Sequence, residues 1–182
     1  MSDRTVQLED GTTMPLADLY RDGPIALVFL RHFGCVFCRY QVAQLRNDKD
    51  LPVYFVCMEG PEEAAKFKTK MRSPHRFISD KEHELYEAYG VNRGTGRQIF
   101  NLRSLAQGFK ASMSGSFQGR PTADPMQLGA AIILDSQGGI AWSHYAADAS
   151  EIVSALDLRE NLARFGQEKA AVGGEDHPGS VE

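Results

Sequence analysis

The sequence predicts an α/β fold with helices on both faces of a largely parallel central sheet. Three observations carry this. The runs Ile25-Ala26-Leu27-Val28-Phe29-Leu30 and Val53-Tyr54-Phe55-Val56-Cys57-Met58 are apolar without alternation, the pattern of strands covered on both sides. Each is followed by a segment of helical character, and a third strand and helix complete the series by Gly90, an order that demands parallel strands with right-handed crossovers. Near the end, Ala130 to Leu134 and Ile140 to Tyr145 are two further strands, joined as a hairpin by Asp135-Ser136-Gln137-Gly138-Gly139. The sheet is therefore mixed, with an N-terminal extension and a long insertion ahead of the hairpin.

Taken in order, Val6 to Leu8 reads as a short strand entering the Asp10-Gly11 turn, and Pro15 to Tyr20 as a helical turn. Gly23-Pro24 breaks the chain before the first apolar run. A helix from the Cys35 region to about Asn47 follows, with Val36, Tyr40 and Ala43 on one face and Val42 and Leu45 widening it. Pro61, Glu62 and Glu63 stand where a helix start favours proline and acid, and that helix runs to Met71. Phe77 to Asp80 is a strand, and Glu82 to Tyr89 a helix closed by Gly90. The last helix spans about Ala149 to Phe165, with Asp148 or Ser150 as its cap. One domain covers 1–166. The residues 167–182, small and polar with repeated glycine, read as a disordered tail. Between Val91 and Gly129 lies a glycine-rich insertion with no acid before Asp124 and with Arg93, Arg97, Arg103, Lys110 and Arg120. A helix from about Ile99 to Lys110 fits within it, and so long an insertion in a compact domain is usually functional.

Composition narrows the function. The 182 residues are 42% hydrophobic and 24% charged, enough for one sizeable core. The net charge of −4 argues against a globally basic nucleic-acid binder. No apolar run approaches the roughly 18 residues of a membrane span. The first ten residues lack the basic-then-apolar order of a secretory leader, and three cysteines make no disulfide framework. Both point to a reducing, cytoplasmic setting, where a close cysteine pair is more often catalytic than structural.

That pair is Cys35-Val36-Phe37-Cys38, directly after a buried strand and at the opening of a helix. The spacing puts both sulfurs within disulfide reach on the first helical turn. The unpaired amides and partial positive charge there stabilise a thiolate. Arg31, His32 and Arg39 add positive potential or are simply solvated, and no carboxylate occurs between Leu27 and Arg46. A zinc site would need further soft ligands, and only Cys57 and scattered histidines are at hand. Cys57 itself reads as a small hydrophobe in a core strand, at the sheet edge where active sites gather. Arg93 and Arg97 could bind an anionic substrate or belong to a soluble cationic lid. Trp142 and Tyr145 read as sheet-face residues.

The order of elements resembles a thioredoxin fold. The stretch Phe29-Leu30-Arg31-His32-Phe33-Gly34-Cys35-Val36-Phe37-Cys38, with Asp124-Pro125-Met126-Gln127-Leu128-Gly129 running into Ala130 to Asp135, resembles the peroxiredoxin-like branch of the AhpC/TSA superfamily, the group of the peroxiredoxin-like 2 proteins. The resemblance implies an antioxidant thiol oxidoreductase that works by a two-cysteine cycle on peroxides or disulfides. It implies Cys35 and Cys38 as catalytic residues, a thioredoxin-like or glutathione-linked reductant, no metal or organic cofactor, and a homodimer through a sheet edge or helix face. Some members of this branch act on lipid endoperoxides, and apolar Phe100, Leu102, Leu105, Phe109, Met113 and Phe117 could line such a pocket or pack one helix. Aligned on strand and helix, Cys35 takes the place of the family threonine and Cys38 that of the peroxidatic cysteine. Arg31 stands near the family proline, and Leu128 and Gly129 where an arginine is expected.

Which sulfur attacks stays open. In thioredoxin geometry Cys35 is the exposed attacker and Cys38 resolves; in peroxiredoxin geometry Cys38 attacks. His32, Arg31 and Arg97 are the candidate substrate contacts. The competing reading is a redox-sensing or partner-binding module, with the basic insertion as interface and the cysteines as a switch.

Overall fold

The computed structural model describes residues 4–99 and 119–172. Its strands are β1 Thr5–Leu8, β2 Thr13–Pro15, β3 Ile25–Phe29, β4 Val53–Cys57, β5 Arg76–Ser79, β6 Ala130–Leu134 and β7 Ile140–Tyr145. The helices are α1 Ala17–Tyr20, α2 Val36–Gln44, α3 Pro61–Met71, α4 Glu84–Ala88, α5 Gly96–Ile99 and α6 Ala155–Val172, with a 3₁₀ turn at Leu45–Asn47. One sheet runs in the order β2-β1-β5-β4-β3-β6-β7. The β3/β4 and β4/β5 pairs are parallel and the others antiparallel. The mixed sheet expected from the sequence is thus present, with its parallel centre made by the apolar runs.

Alternation along β3 divides the core. Ala26 and Val28 face a layer containing Val36, Val42, Phe67 and Leu158 from α2, α3 and α6. Ile25, Leu27 and Phe29 face Leu16, Tyr20, Leu85 and Tyr86 around α1 and α4. Every residue of β3 and β6 is buried, which explains why neither alternates in sequence. On the α2 side, Phe33 stacks on Phe67 with centroids 4.0 Å apart, and Phe77 meets both edge-on at 6.2 and 6.0 Å. On the far side, the Tyr86 hydroxyl lies 2.5 Å from the Leu30 carbonyl and 3.0 Å from that of Val56. It ties together the two strand ends from which the cysteine loop departs.

Three boundaries differ from the sequence reading. Strand β2 was not anticipated, because three residues ending in Pro15 carry no pattern; proline is accommodated because β2 is the sheet edge. The last helix begins at Ala155 rather than Ala149. Asp148 instead closes a turn, accepting from the Ser150 amide at 2.8 Å and hydroxyl at 2.6 Å. The start at 155 is set by Ser154, whose hydroxyl accepts from the Asp157 amide at 3.1 Å. Helix α6 also continues past the expected boundary at 166 to Val172, since Gln-Glu-Lys-Ala-Ala are good helix formers that carry it over Gly166. The helix expected over 99–110 and the apolar residues from Phe100 to Phe117 lie outside the described residues, as does the tail beyond 172. No helix among the described residues is long and apolar enough to cross a membrane.

Phe77 is fully buried at the centre of the aromatic cluster. Phe77→Ala is expected to cost about 3–5 kcal/mol, the usual range for deleting a core ring. Denaturant unfolding should show the loss as a lower midpoint with an unchanged slope.

Candidate active site

The loop from Leu30 to Cys35 leaves β3 at its C-terminal end and turns into α2. Leu30 still pairs with β4, its amide donating to the Val56 carbonyl at 2.9 Å. The Cys35 amide then donates to the His32 carbonyl at 3.0 Å, closing a turn. Cys35 is the residue capping α2, extended at φ −71° and ψ 126°, and its carbonyl accepts from the Arg39 amide. The Cys35 side chain therefore sits at the positive end of the helix, where the first amides have no partners inside the helix. Cys38 lies on the first turn and points into the core. Cys35, Cys38 and Cys57 are all thiols.

Arg31 organises the pair. Its backbone amide donates to Cys38 Sγ and its Nη1 to Cys35 Sγ, both at 3.2 Å. Nε and Nη2 donate to the carbonyls of Gln127 and Pro125, both at 2.8 Å. Gln127 is in turn fixed by its side-chain amide, which reaches the carbonyls of Val91 and Asn92 at 2.9 and 3.1 Å. Arg31 is buried, and no carboxylate is among these partners. A buried cation surrounded by neutral dipoles favours an anion beside it. The group in that position is the Cys35 sulfur.

The two thiols consequently separate in acidity. The Cys35 thiol is pulled down to about 6, chiefly by a hydrogen bond from Cys38, with help from the Arg31 charge and the amides of Cys38 and Phe37; burial opposes them. The Cys38 thiol is pushed well up by burial and by Cys35 beside it. One sulfur is poised to ionise near neutrality and the other to stay protonated and donate to it.

His32 is buried as well, and burial together with the charges of Arg31 and Arg39 lowers its imidazole to about 4. It is neutral at pH 7 and adds no positive potential. Its Nδ1 is buried without a hydrogen-bond partner. Arg39 donates from Nε to the Phe33 carbonyl at 2.7 Å, bracing the loop rather than the sulfurs. Arg97 is exposed in α5 and takes no part in the hydrogen bonds around the pair. Cys57 packs in the core layer, with its thiol raised by burial and donating to the Ile78 carbonyl at 3.4 Å. Among the described residues no cluster of His, Cys, Asp and Glu could hold a metal ion.

The exposed attacker expected of thioredoxin geometry is not what the structure has: Cys35 is 1% and Cys38 4% exposed. Beside the pair runs the segment Gly119–Thr122, which crosses the cysteine loop at Phe33 and Gly34 in close contact. The Gly119 amide donates to the Gly34 carbonyl at 2.7 Å, and a Cβ on Gly34 would stand 1.9 Å from the Arg120 carbonyl oxygen, so only glycine fits there. The Phe33 amide is shared between Glu59 Oε1 at 2.9 Å and the Thr122 hydroxyl at 3.1 Å, and that hydroxyl donates to Glu59. Burial raises the Glu59 carboxyl. Glu59, Thr122, Pro125 and Gln127 were not singled out as site residues. Only the last two carried a signal, through the Asp124 to Gly129 stretch.

Replacing Arg31 with Gln is expected to raise the Cys35 thiol above 6, because the cation favours the thiolate. The thiolate absorbance should then titrate at higher pH, and alkylation by iodoacetamide at pH 7 should slow by about twofold for the first unit gained and approach tenfold for each unit beyond the second. An unchanged titration midpoint would show that Cys38 and the helix amides activate the sulfur without Arg31.

The AhpC/TSA antioxidant enzyme family matches residues 39–148, beginning one position after Cys38. The prostamide/prostaglandin F synthase of Salmo salar is 28% identical over 170 residues, covering 84% of each chain. The peroxidoxin BcpB of Mycobacterium tuberculosis superposes with a TM-score of 0.62 at 15% identity, over 91% of this chain and 92% of that one. A peroxiredoxin-like protein of Aquifex aeolicus gives 0.64 at 14% identity, over 90% and 86%. With the family matched over more than half its length, the chain belongs to the AhpC/TSA antioxidant enzymes, as a peroxiredoxin-like thiol oxidoreductase on a thioredoxin fold.

Proposed function

We propose that this enzyme reduces peroxides by a dithiol cycle in which Cys35 attacks and Cys38 resolves. The observation that carries the assignment is the Arg31 guanidinium 3.2 Å from Cys35 Sγ, a buried cation with no carboxylate among its hydrogen-bond partners. The Cys35 thiolate attacks one peroxide oxygen, the O–O bond breaks, and the leaving alkoxide or hydroxide takes a proton. Cys35 is then a sulfenic acid. Cys38 attacks its sulfur, the S–O bond breaks, water leaves, and a Cys35–Cys38 disulfide forms. A thioredoxin-like or glutathione-linked dithiol returns both residues to thiols. The Gly119–Thr122 segment must lift for substrate to reach the sulfur. His32, a neutral polar group within the loop whose Nδ1 has no hydrogen-bond partner, would meet the substrate once it does. A cytoplasmic setting belongs to the same reading, and a homodimer through a sheet edge is compatible with the exposed edge strand β7.

A second substrate class is favoured by one finding: the Salmo salar relative, covered over 84% of its length, is a prostamide/prostaglandin F synthase. A lipid endoperoxide contains the same O–O bond: attack by Cys35 would break it and form a sulfenate ester, the freed alkoxide taking a proton, and attack by Cys38 would then displace the second oxygen as an alcohol and leave a diol and the Cys35–Cys38 disulfide.

Stoichiometric hydrogen peroxide added to the reduced enzyme should consume both thiols of the pair and leave an intramolecular disulfide. Cys35→Ser should abolish the reaction, whereas Cys38→Ser should stop at a sulfenic acid trapped by dimedone. The wild-type rate should climb as pH rises through about 6 and level off above it, since the thiolate is the reactive form. If Cys38→Ser is inert and Cys35→Ser is oxidised, the roles are reversed. If neither wild type nor variants respond to hydrogen peroxide or to a lipid endoperoxide, the peroxidase reading is wrong.

A further inference from the structure

The cycle leaves one step unserved. Cys38 must lose its proton to resolve the oxidised Cys35, yet burial holds that thiol strongly protonated. The proton needs an acceptor on the buried side of Cys38, away from Cys35.

A small cavity lies on that side, with about 10 Å³ available, the threshold at which a polar space admits one water molecule. Its polar wall is made by Arg31, Cys38, Gln41, His144 and Glu151. The remaining lining, from Phe29, Phe37, Ala130 and the 149–153 segment, is mostly apolar. Of the five polar groups, Arg31 has no acceptor and is already engaged with Cys35 and two carbonyls. Gln41 donates to the Val153 carbonyl at 3.4 Å and does not titrate. His144 differs: its Nε2 is buried and has no hydrogen-bond partner, although the side chain as a whole is about one-third exposed. Glu151 Oε1 stands 3.4 Å from that nitrogen, close enough to balance a charge on the ring but not aligned as a hydrogen bond. The other Glu151 oxygen accepts from the Ala147 amide at 2.7 Å, which fixes the carboxylate. The Trp142 ring stacks on the imidazole at 6.3 Å and holds its plane.

We infer that His144, backed by Glu151, accepts the Cys38 proton through water in this cavity and so sets the rate of the resolving step. The inference rests on the dithiol reading above. Imidazole is the side chain that exchanges protons near neutral pH. As Cys38 attacks, its proton passes to water and from water to Nε2, while the water's own proton makes the transfer continuous. The Cys38–Cys35 bond forms and the bond from Cys35 to its leaving group breaks. The imidazolium, beside the Glu151 carboxylate, then returns its proton to solvent or to the departing hydroxide, so no oxidant or reductant beyond the substrate is required. His144 touches neither substrate nor sulfur, and is a positioning residue for the proton.

A chromogenic aromatic disulfide such as DTNB separates the two steps on the full chain. Attack by Cys35 releases one thiol anion and leaves a mixed disulfide; attack by Cys38 releases a second. In His144→Gln the first release should be unchanged and the second about tenfold slower at pH 7. The deficit should close as pH rises, because hydroxide replaces the missing base. Glu151→Gln should show the same effect more weakly. Equal second-release rates in wild type and His144→Gln overturn the inference, as does a deficit that is constant with pH or shared by the first release, since either marks a structural role. A wild-type enzyme that releases no thiol anion at all overturns the dithiol reading, a different result from a wild type that completes both steps and a variant that does so equally fast.

Discussion

A buried guanidinium without a carboxylate sets the character of this protein. Arg31 enters the interior from the end of β3 and is satisfied on one side by the Gln127 and Pro125 carbonyls. Those bonds answer its geometry but not its charge, and desolvating a cation costs several kcal/mol unless an anion is near. The Cys35 sulfur at the mouth of α2 is the group that can become that anion. Ionisation of Cys35 thus stabilises Arg31, and Arg31 in turn favours ionisation. The same arginine connects the chain's distant parts, since its partners lie 94 and 96 positions away in sequence.

The fold exists to hold that arrangement still. Two parallel strands end side by side beneath the Tyr86 hydroxyl, so the loop leaving β3 begins from a fixed point. The aromatic stack of Phe33, Phe67 and Phe77 fixes the loop's middle. The first turn of α2 supplies amides to Cys35 and places Cys38 inside. The difference in acidity between two equally buried residues of one turn then follows from their partners: Cys35 receives the hydrogen bond from Cys38 and lies beside the Arg31 cation, whereas Cys38 donates that bond and is desolvated.

The central architecture was legible because β3, β4 and β6 are buried on both faces, which leaves uninterrupted apolar runs that no exposed element would carry. The cysteine pair was legible for a related reason, since its position between a buried strand and a helix is a local pattern. Strand β2 escaped because three residues at a sheet edge have no period to read. The start of α6 was misplaced because Ile152 and Val153 continue its apolar spacing while belonging to the loop that closes over α2, and only the Ser154 cap marks the true beginning. Arg31 looks in sequence like one solvated cation among several. Its role depends on carbonyls nearly a hundred residues away, and no local pattern encodes that. The burial of Cys35 was invisible for the same reason, because it depends on the folded chain around the cysteine loop, which Gly119–Thr122 meets at Phe33 and Gly34.

The glycine at position 34 has a consequence for selectivity. With no side chain there, the backbone of Arg120 rests directly on the cysteine loop, and the sulfur below is easy to ionise yet hard to touch. Intrinsic nucleophilicity and access are usually coupled at exposed thiols, so that the most electrophilic molecule in solution is consumed first. Here they are uncoupled. Under the proposed cycle an oxidant reaches the sulfur only as that bridge of main chain moves, so reactivity and access are governed by different parts of the chain.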